Sequence, residues 1–203
     1  MRLFDDPLAP NCRRVRIFLA EKGVDIPRET VEIAKKQHKT EEYRQINPLA
    51  LVPALELDDG RRLCESVAIC RYVEEALQPE PNLFGAEPFE RAKIEQWQRH
   101  MEFEILLLNA QVFRNTHPFW QGRIPQAPDY GEMCRKASAK RYEWLNNELA
   151  NREYIAGDRF SIADITALVG IDFGRISNIR IQPEQTHLQR WYDAVSSRPS
   201  AKA

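Results

Sequence analysis

Apolar and polar positions alternate between two periods over the first 77 residues. A short strand candidate, MRLFD, runs into PNCRRVRIFLAEKG, where Cys12, Val15, Phe18 and Leu19 recur at helical spacing and Gly23 marks the stop. PRETVEI follows, with Thr30, Val31 and Ile33 favouring a second strand, and then TEEYRQIN, a short polar helix that stops before Pro48. Strand, helix and strand in this order predict a parallel β-α-β unit. VPALEL and RRLCE flank Asp58-Asp59-Gly60, a turn signal that folds them into an antiparallel hairpin, and SVAICRYVEEAL closes the segment as a helix ending at Leu77.

Residues 78–88, QPEPNLFGAEP, are too rich in proline for a helix or strand interior and read as a linker. Everything from 89 to 203 has helical period. FERAKIEQWQRHMEFEILLLNAQVFRN carries Ile94, Trp97, Met101, Ile105, Leu108 and Val112 at spacings of three and four, and THPFWQGRIPQAPD interrupts it. GEMCRKASAKRYEWLNNELAN predicts a second long helix, and Ser161 with Asp164 makes the S-x-x-D pattern of a capped helix start. PEQTHLQRWYDAVSSRP predicts a final amphipathic helix. The fold class is therefore a small α/β domain over 1–77 and an all-α domain over 89–203.

Composition narrows the function classes. Lys plus Arg (29) nearly balance Asp plus Glu (30), so no field of one sign is available for nucleic acid or an acidic membrane surface. No run of about 18 apolar residues is present to span a bilayer, and MRLFDDPLAPN lacks the pattern of a secretory signal, so the expected setting is cytoplasmic. Cys12, Cys64, Cys70 and Cys134 show neither CxxC nor metal-ligand spacing, so free thiols and no metal are expected.

Three signals in the first domain carry chemistry. Pro53, immediately before a strand, reads either as an ordinary turn proline or as an edge proline after a cis bond, which leaves the main chain of Val52 open to an extended ligand. Ser66 reads as the cap of the following helix, with Glu65 beside it. The pair is either a plain cap and a surface glutamate, or a site for the carboxylate and ammonium of an α-amino acid. Lys35, Lys36, His38 and Lys39 form a basic cluster that suits a second carboxylate or is simply a solvated loop. At the start of the first helix, Pro10 suits the first helical position, which makes Ala9 the cap, although alanine has no oxygen to accept from the free N–H groups.

APNCRRVRIFLAEKG, QHKTEEYRQINPLALVPALEL, CESVAICRYVEE and YIAGDRFSIADI together resemble the glutathione transferase family over nearly the whole chain. The resemblance implies a thioredoxin-like first domain, an all-helical second domain, a homodimer, and glutathione as the substrate that brings the thiol. By position it implies that Val52 pairs its main chain with the cysteinyl unit, that Pro53 is cis, that Glu65 and Ser66 hold the γ-glutamyl end, and that His38 and Lys39 face the glycyl carboxylate. The SIAD segment is implied to be a folding element.

The departures from the family are equally informative. Many relatives carry a polar residue where Leu51 stands, and Ala9 occupies the place of the serine or cysteine that contacts the glutathione sulfur. A thiol with a pKa of about 9 is mostly protonated at neutral pH, so a replacement donor is needed. Asn11 is either the replacement, through its amide and the helix N-terminus, or a residue that only satisfies local backbone groups. A bacterial branch that reduces disulfides with glutathione also carries asparagine there, in a T-P-N context that this chain lacks. Cys12 is the rival nucleophile, but its spacing with Val15 and Leu19 places it on the packed face. AQVFRNTHPFW resembles an atypical branch, best known from fungi, that lacks the first-domain residue and uses its helical domain. Exact correspondence with that branch's catalytic residues fails, but Arg114, Asn115 and His117 are polar groups at the end of a long helix, and Phe113, Phe119 and Trp120 suit the wall of an apolar electrophile pocket. His117 before Pro118 reads either as part of that pocket or as a loop residue. The expected function is conjugation of the glutathione thiolate to an apolar electrophile. Disulfide reduction with glutathione and a non-catalytic, regulatory glutathione-binding role are the alternatives.

Overall fold

The computed structural model describes residues 1–203 and separates them into two compact units, Met1–Leu83 with Pro199–Ala203, and Phe84–Arg198. No helix is long and apolar enough to cross a membrane.

In the first unit, β1 (Arg2–Asp5), β2 (Arg28–Thr30), β3 (Ala54–Glu56) and β4 (Arg62–Cys64) form one sheet in the order β2-β1-β3-β4. β1 and β2 are parallel, as the β-α-β reading predicts, while β3 is antiparallel to both β1 and β4. This is the thioredoxin-like arrangement. β2 is shorter than the sequence run because beyond Val31 the main chain leaves the ladder, Ile33 N donating to the Asp6 side chain at 2.7 Å.

Helix α1 (Pro10–Lys22) buries Cys12, Val15, Phe18 and Leu19, and Gly23 ends it at φ 62, a left-handed conformation that glycine adopts without a steric penalty. The same helix also buries Arg14, Arg16 and Lys22, which apolar periodicity does not register as core. Lys22 is neutralised by Glu74 at 2.8 Å. The chain end returns to this unit, where Arg13 Nη2 donates to Ala201 O at 3.0 Å. Helix α2 (Glu41–Ile46) is capped by Thr40, and α3 (Ser66–Tyr72) continues as a wider π turn to Leu77.

In the second unit, α4 (Pro88–His100) and α5 (Leu108–Thr116) are joined through Met101–Leu107 in π geometry, and α6 (Pro128–Glu148) follows the interruption. Helix α7 (Ile162–Gly174) is buried along nearly its whole length, and α8 (Thr186–Ser196) covers it with Leu188, Trp191 and Val195. A Cβ at Gly170 would stand 3.2 Å from Leu106 Cα, so glycine is what lets α7 approach the π segment. The predicted capping box is present: Ser161 N donates to Asp164 at 2.9 Å, and the Ser161 side chain caps the helix.

Candidate active site

Strand register gathers the predicted residues of the first unit. Phe4 pairs with Ala54, Ala54 with Cys64, and Asp5 with Thr30. The β1–α1 loop, the segment after β2, Val52-Pro53 before β3, and Glu65-Ser66 after β4 therefore share one end of the sheet. Beneath them Phe4, Ala9, Cys12, Val31, Tyr43, Val52 and Ala54 pack as a single buried cluster.

The β1–α1 loop is fixed by side chains on both sides. Asp6 accepts from Leu8 N at 2.8 Å and from Ile33 N at 2.7 Å. Arg16 pairs with Asp5 at 2.8 Å and donates to Pro7 O at 3.0 Å. The loop delivers Ala9 as the N-cap of α1, with Pro10 in its first turn and no side-chain cap bond. The first-turn N–H groups are consequently left to another acceptor, and Asn11 stands exposed beside them. Cys12 is fully buried and its sulfur accepts from Asp6 N at 3.3 Å. Burial pushes its thiol far above the ordinary range, so it is protonated and packed at neutral pH.

Val52-Pro53 is cis. The carbonyl just before Val52 is held twice, since Leu51 O accepts from Tyr43 Oη at 2.7 Å and from Asn47 Nδ2 at 2.8 Å. Asn47 Oδ1 also accepts from Leu49 N at 3.1 Å, which makes this one buried asparagine the organiser of the loop. Leu51 itself is exposed.

Glu65 and Ser66 differ from the predicted arrangement. Glu65, not Ser66, is the N-cap of α3, at φ 68 and without a side-chain cap bond. Ser66 is the first helical residue, and its Oγ accepts from Arg14 Nη1 at 2.7 Å instead of from the helix backbone. A positive φ at a residue with a side chain costs roughly 1–3 kcal/mol, and such strain gathers at ligand clamps. His38 is buried in the short 3-10 turn Gln37–Lys39, its Nδ1 has no protein partner, and Lys39 is exposed. Burial, reinforced by the Lys39 charge, lowers the His38 pKa.

In the helical unit, Phe113 packs against His117 at 4.7 Å, Phe119 at 6.0 Å and Trp120 at 6.0 Å between ring centroids. The Arg114 guanidinium lies 5.1 Å from the Trp120 ring centre. His117 Nδ1 accepts from Phe119 N at 3.1 Å, which makes the neutral ring an Nε2–H donor. Asn115 is turned into the fold: its Nδ2 donates to Gln111 O at 2.9 Å and its Oδ1 accepts from Ala127 N at 3.0 Å.

Sequence reasoning missed Tyr43, Asn47, Arg14 and Arg16. The Asn47-Pro48 helix stop was the one available signal for this set.

A thioredoxin-like sheet with a cis proline before β3, followed by a helical unit, is an arrangement whose family the comparisons with known proteins specify. Residues 9–76 match the family model "Glutathione S-transferase, N-terminal domain", and residues 106–199 match "Glutathione S-transferase, C-terminal domain". Glutathione S-transferase 2 of Saccharomyces cerevisiae is 33% identical over 100% of this chain and 88% of its own length. The crystal structure of Gtt2 from Saccharomyces cerevisiae superposes with a TM-score of 0.94 at 33% identity, covering 100% of this chain and 99% of that one. A glutathione S-transferase of class Gtt2 from Vibrio parahaemolyticus gives 0.87 at 36% identity, covering 100% and 96%. The chain belongs to the glutathione S-transferase family.

Proposed function

We propose that the protein binds glutathione across this end of the sheet and conjugates its thiolate to an apolar electrophile. The observation that carries the reading is the convergence at one end of the sheet of Val52, with the carbonyl before it held twice, the strained Glu65 and the buried Ser66. An extended tripeptide lies across them as an added strand segment, with its cysteinyl unit on Val52 beside Pro53. Glu65 takes the ammonium of the γ-glutamyl end, Ser66 takes its carboxylate, and His38 with Lys39 faces the glycyl carboxylate.

Asn11 and the uncapped start of α1 supply what Ala9 does not. The amide donates to the sulfur, and the helix N-terminus adds a partial positive charge, so the thiol releases its proton to solvent more readily. The thiolate then attacks the electrophilic carbon, forming the C–S bond as the bond to the leaving group breaks, with the electron pair departing on that group. Within the helical unit, Phe113, Arg114 and His117 are assigned to the electrophile pocket from the family resemblance, and Asn115 fixes the connection that carries them. The homodimer is taken from the family resemblance, and the cytoplasmic setting stays an expectation from the sequence pattern.

Calorimetry with glutathione tests the reading. Saturable binding that Ser66→Ala weakens is expected, together with turnover of a generic apolar electrophile. Unchanged affinity in Ser66→Ala refutes the γ-glutamyl assignment, and binding without turnover of any electrophile or disulfide refutes the catalytic one.

A further inference from the structure

Arg14 belongs to none of the assigned roles, yet it is among the largest fully buried side chains of the molecule, at 1% exposure in the middle of α1. Its Nη1 reaches Ser66 Oγ at 2.7 Å, across a buried contact between residues 52 positions apart. Ser66 is itself only 4% exposed. A serine hydroxyl offers one hydrogen and two lone pairs, whereas a guanidinium only donates and does not lose its charge in proteins. Arg14 therefore occupies an acceptor site of Ser66, and the hydroxyl hydrogen points elsewhere. No side chain or carbonyl of the protein takes it.

The alternative fate of a serine at a helix start is to accept from the N–H groups of the first turn. That would turn its lone pairs toward the helix backbone and away from Arg14. Here the cap position falls on Glu65 and no cap bond forms, so the orientation of the Ser66 hydroxyl is set from below by a buried cation. The same charge sits one hydrogen bond away from the place where a ligand carboxylate would accept.

We propose that Arg14 is a positioning residue: it presets the Ser66 hydroxyl as a donor and tunes this end of the site for a carboxylate, an inference that rests on Ser66 holding the γ-glutamyl carboxylate. Arg14 does not touch the ligand. It acts through Ser66, so its effect is confined to ligands that carry that carboxylate and disappears when the hydroxyl is gone.

The test compares two ligands by calorimetry, glutathione and γ-aminobutyryl-cysteinyl-glycine, which differ only in the α-carboxylate of the first unit. Wild type is expected to prefer glutathione. Arg14→Gln is expected to weaken glutathione about tenfold, the scale of a hydrogen bond to a charged group, and to leave the analogue unchanged. In a Ser66→Ala background Arg14→Gln is expected to add less than about twofold, because the two act in series. Arg14→Lys keeps the buried charge with a shorter, single-pronged donor and is expected to show the same selective loss at about threefold. It carries the test if Arg14→Gln does not fold. Equal weakening of both ligands, or full additivity with Ser66→Ala, overturns the role of Arg14 alone. Equal binding of the two ligands by wild type overturns the assignment of Ser66, and the proposal with it.

Discussion

Replacing Asp164 by alanine probes whether the capped start of α7 is a folding element separate from the glutathione end of the sheet. The carboxylate is fully buried and accepts from Ile155 N at 2.9 Å, Trp191 Nε1 at 2.9 Å, Ser161 N at 2.9 Å and Ser161 Oγ at 3.0 Å. The serine hydroxyl can rotate to another partner, but the three N–H donors cannot. Leaving each without an acceptor costs about 1–3 kcal/mol, or about 6 kcal/mol together. Against this, burial raises the carboxyl from 3.8 to about 6 despite its donors. Holding it ionised at neutral pH therefore costs about 3 kcal/mol, which the alanine variant escapes. The net expectation is a loss of about 3 kcal/mol at pH 7.

The sign of the pH dependence sharpens this. Between 3.8 and about 6 the folded protein holds a proton at Asp164 that the unfolded chain has released, so acidification through that range stabilises the wild type but not the variant. The gap should widen by about 1 kcal/mol on going from about pH 7 to pH 5. Urea unfolding followed by tryptophan fluorescence reads this unit specifically, because Trp97, Trp120, Trp144 and Trp191 all lie within Phe84–Arg198. Glutathione affinity of the folded variant should equal that of wild type. A loss below about 1 kcal/mol, or a gap that narrows on acidification, refutes the reasoning about the buried carboxylate.

The same logic applies to that end of the sheet. Asn47→Ala removes a donor to Leu51 O and the acceptor of Leu49 N, and is expected to lower stability by about 2 kcal/mol in urea unfolding and to weaken glutathione binding in calorimetry. Tyr43→Phe leaves Leu51 O with its asparagine partner, so the loss in the same assays should be about 1 kcal/mol or less. Cys12→Ser is expected to keep turnover of apolar electrophiles and of any disulfide, since the native thiol is buried and protonated. A loss of turnover in a variant with unchanged glutathione affinity would contradict that assignment.

Periodicity carried most of the fold because apolar spacing and turn residues report local structure. Gly23, the Asp58-Asp59-Gly60 turn, the proline-rich stretch before α4 and the Ser161–Asp164 box are all events settled within a few residues. What the pattern could not show are contacts between distant segments. Arg14 and Arg16 read as polar positions on α1, and only the arrival of Ser66 and Asp5 explains why their guanidinium groups are buried. Asn47 and Tyr43 look like the polar end and the apolar face of a short helix, whereas their bonds to Leu51 O depend on the path of the loop that follows. Ser66 was placed one position too far out because Glu65 takes up φ 68, a conformation that residue type alone argues against. The return of Pro199–Ala203 to the first unit likewise has no local signal.

The most direct test of the central claim, that Asn11 and the uncapped start of α1 replace the hydroxyl missing at Ala9, is the ultraviolet thiolate absorbance of bound glutathione titrated with pH. The account predicts that the bound thiol ionises at least about tenfold more readily than free glutathione and that Asn11→Ala removes much of this gain. A bound thiol that ionises no more readily than the free one would contradict it.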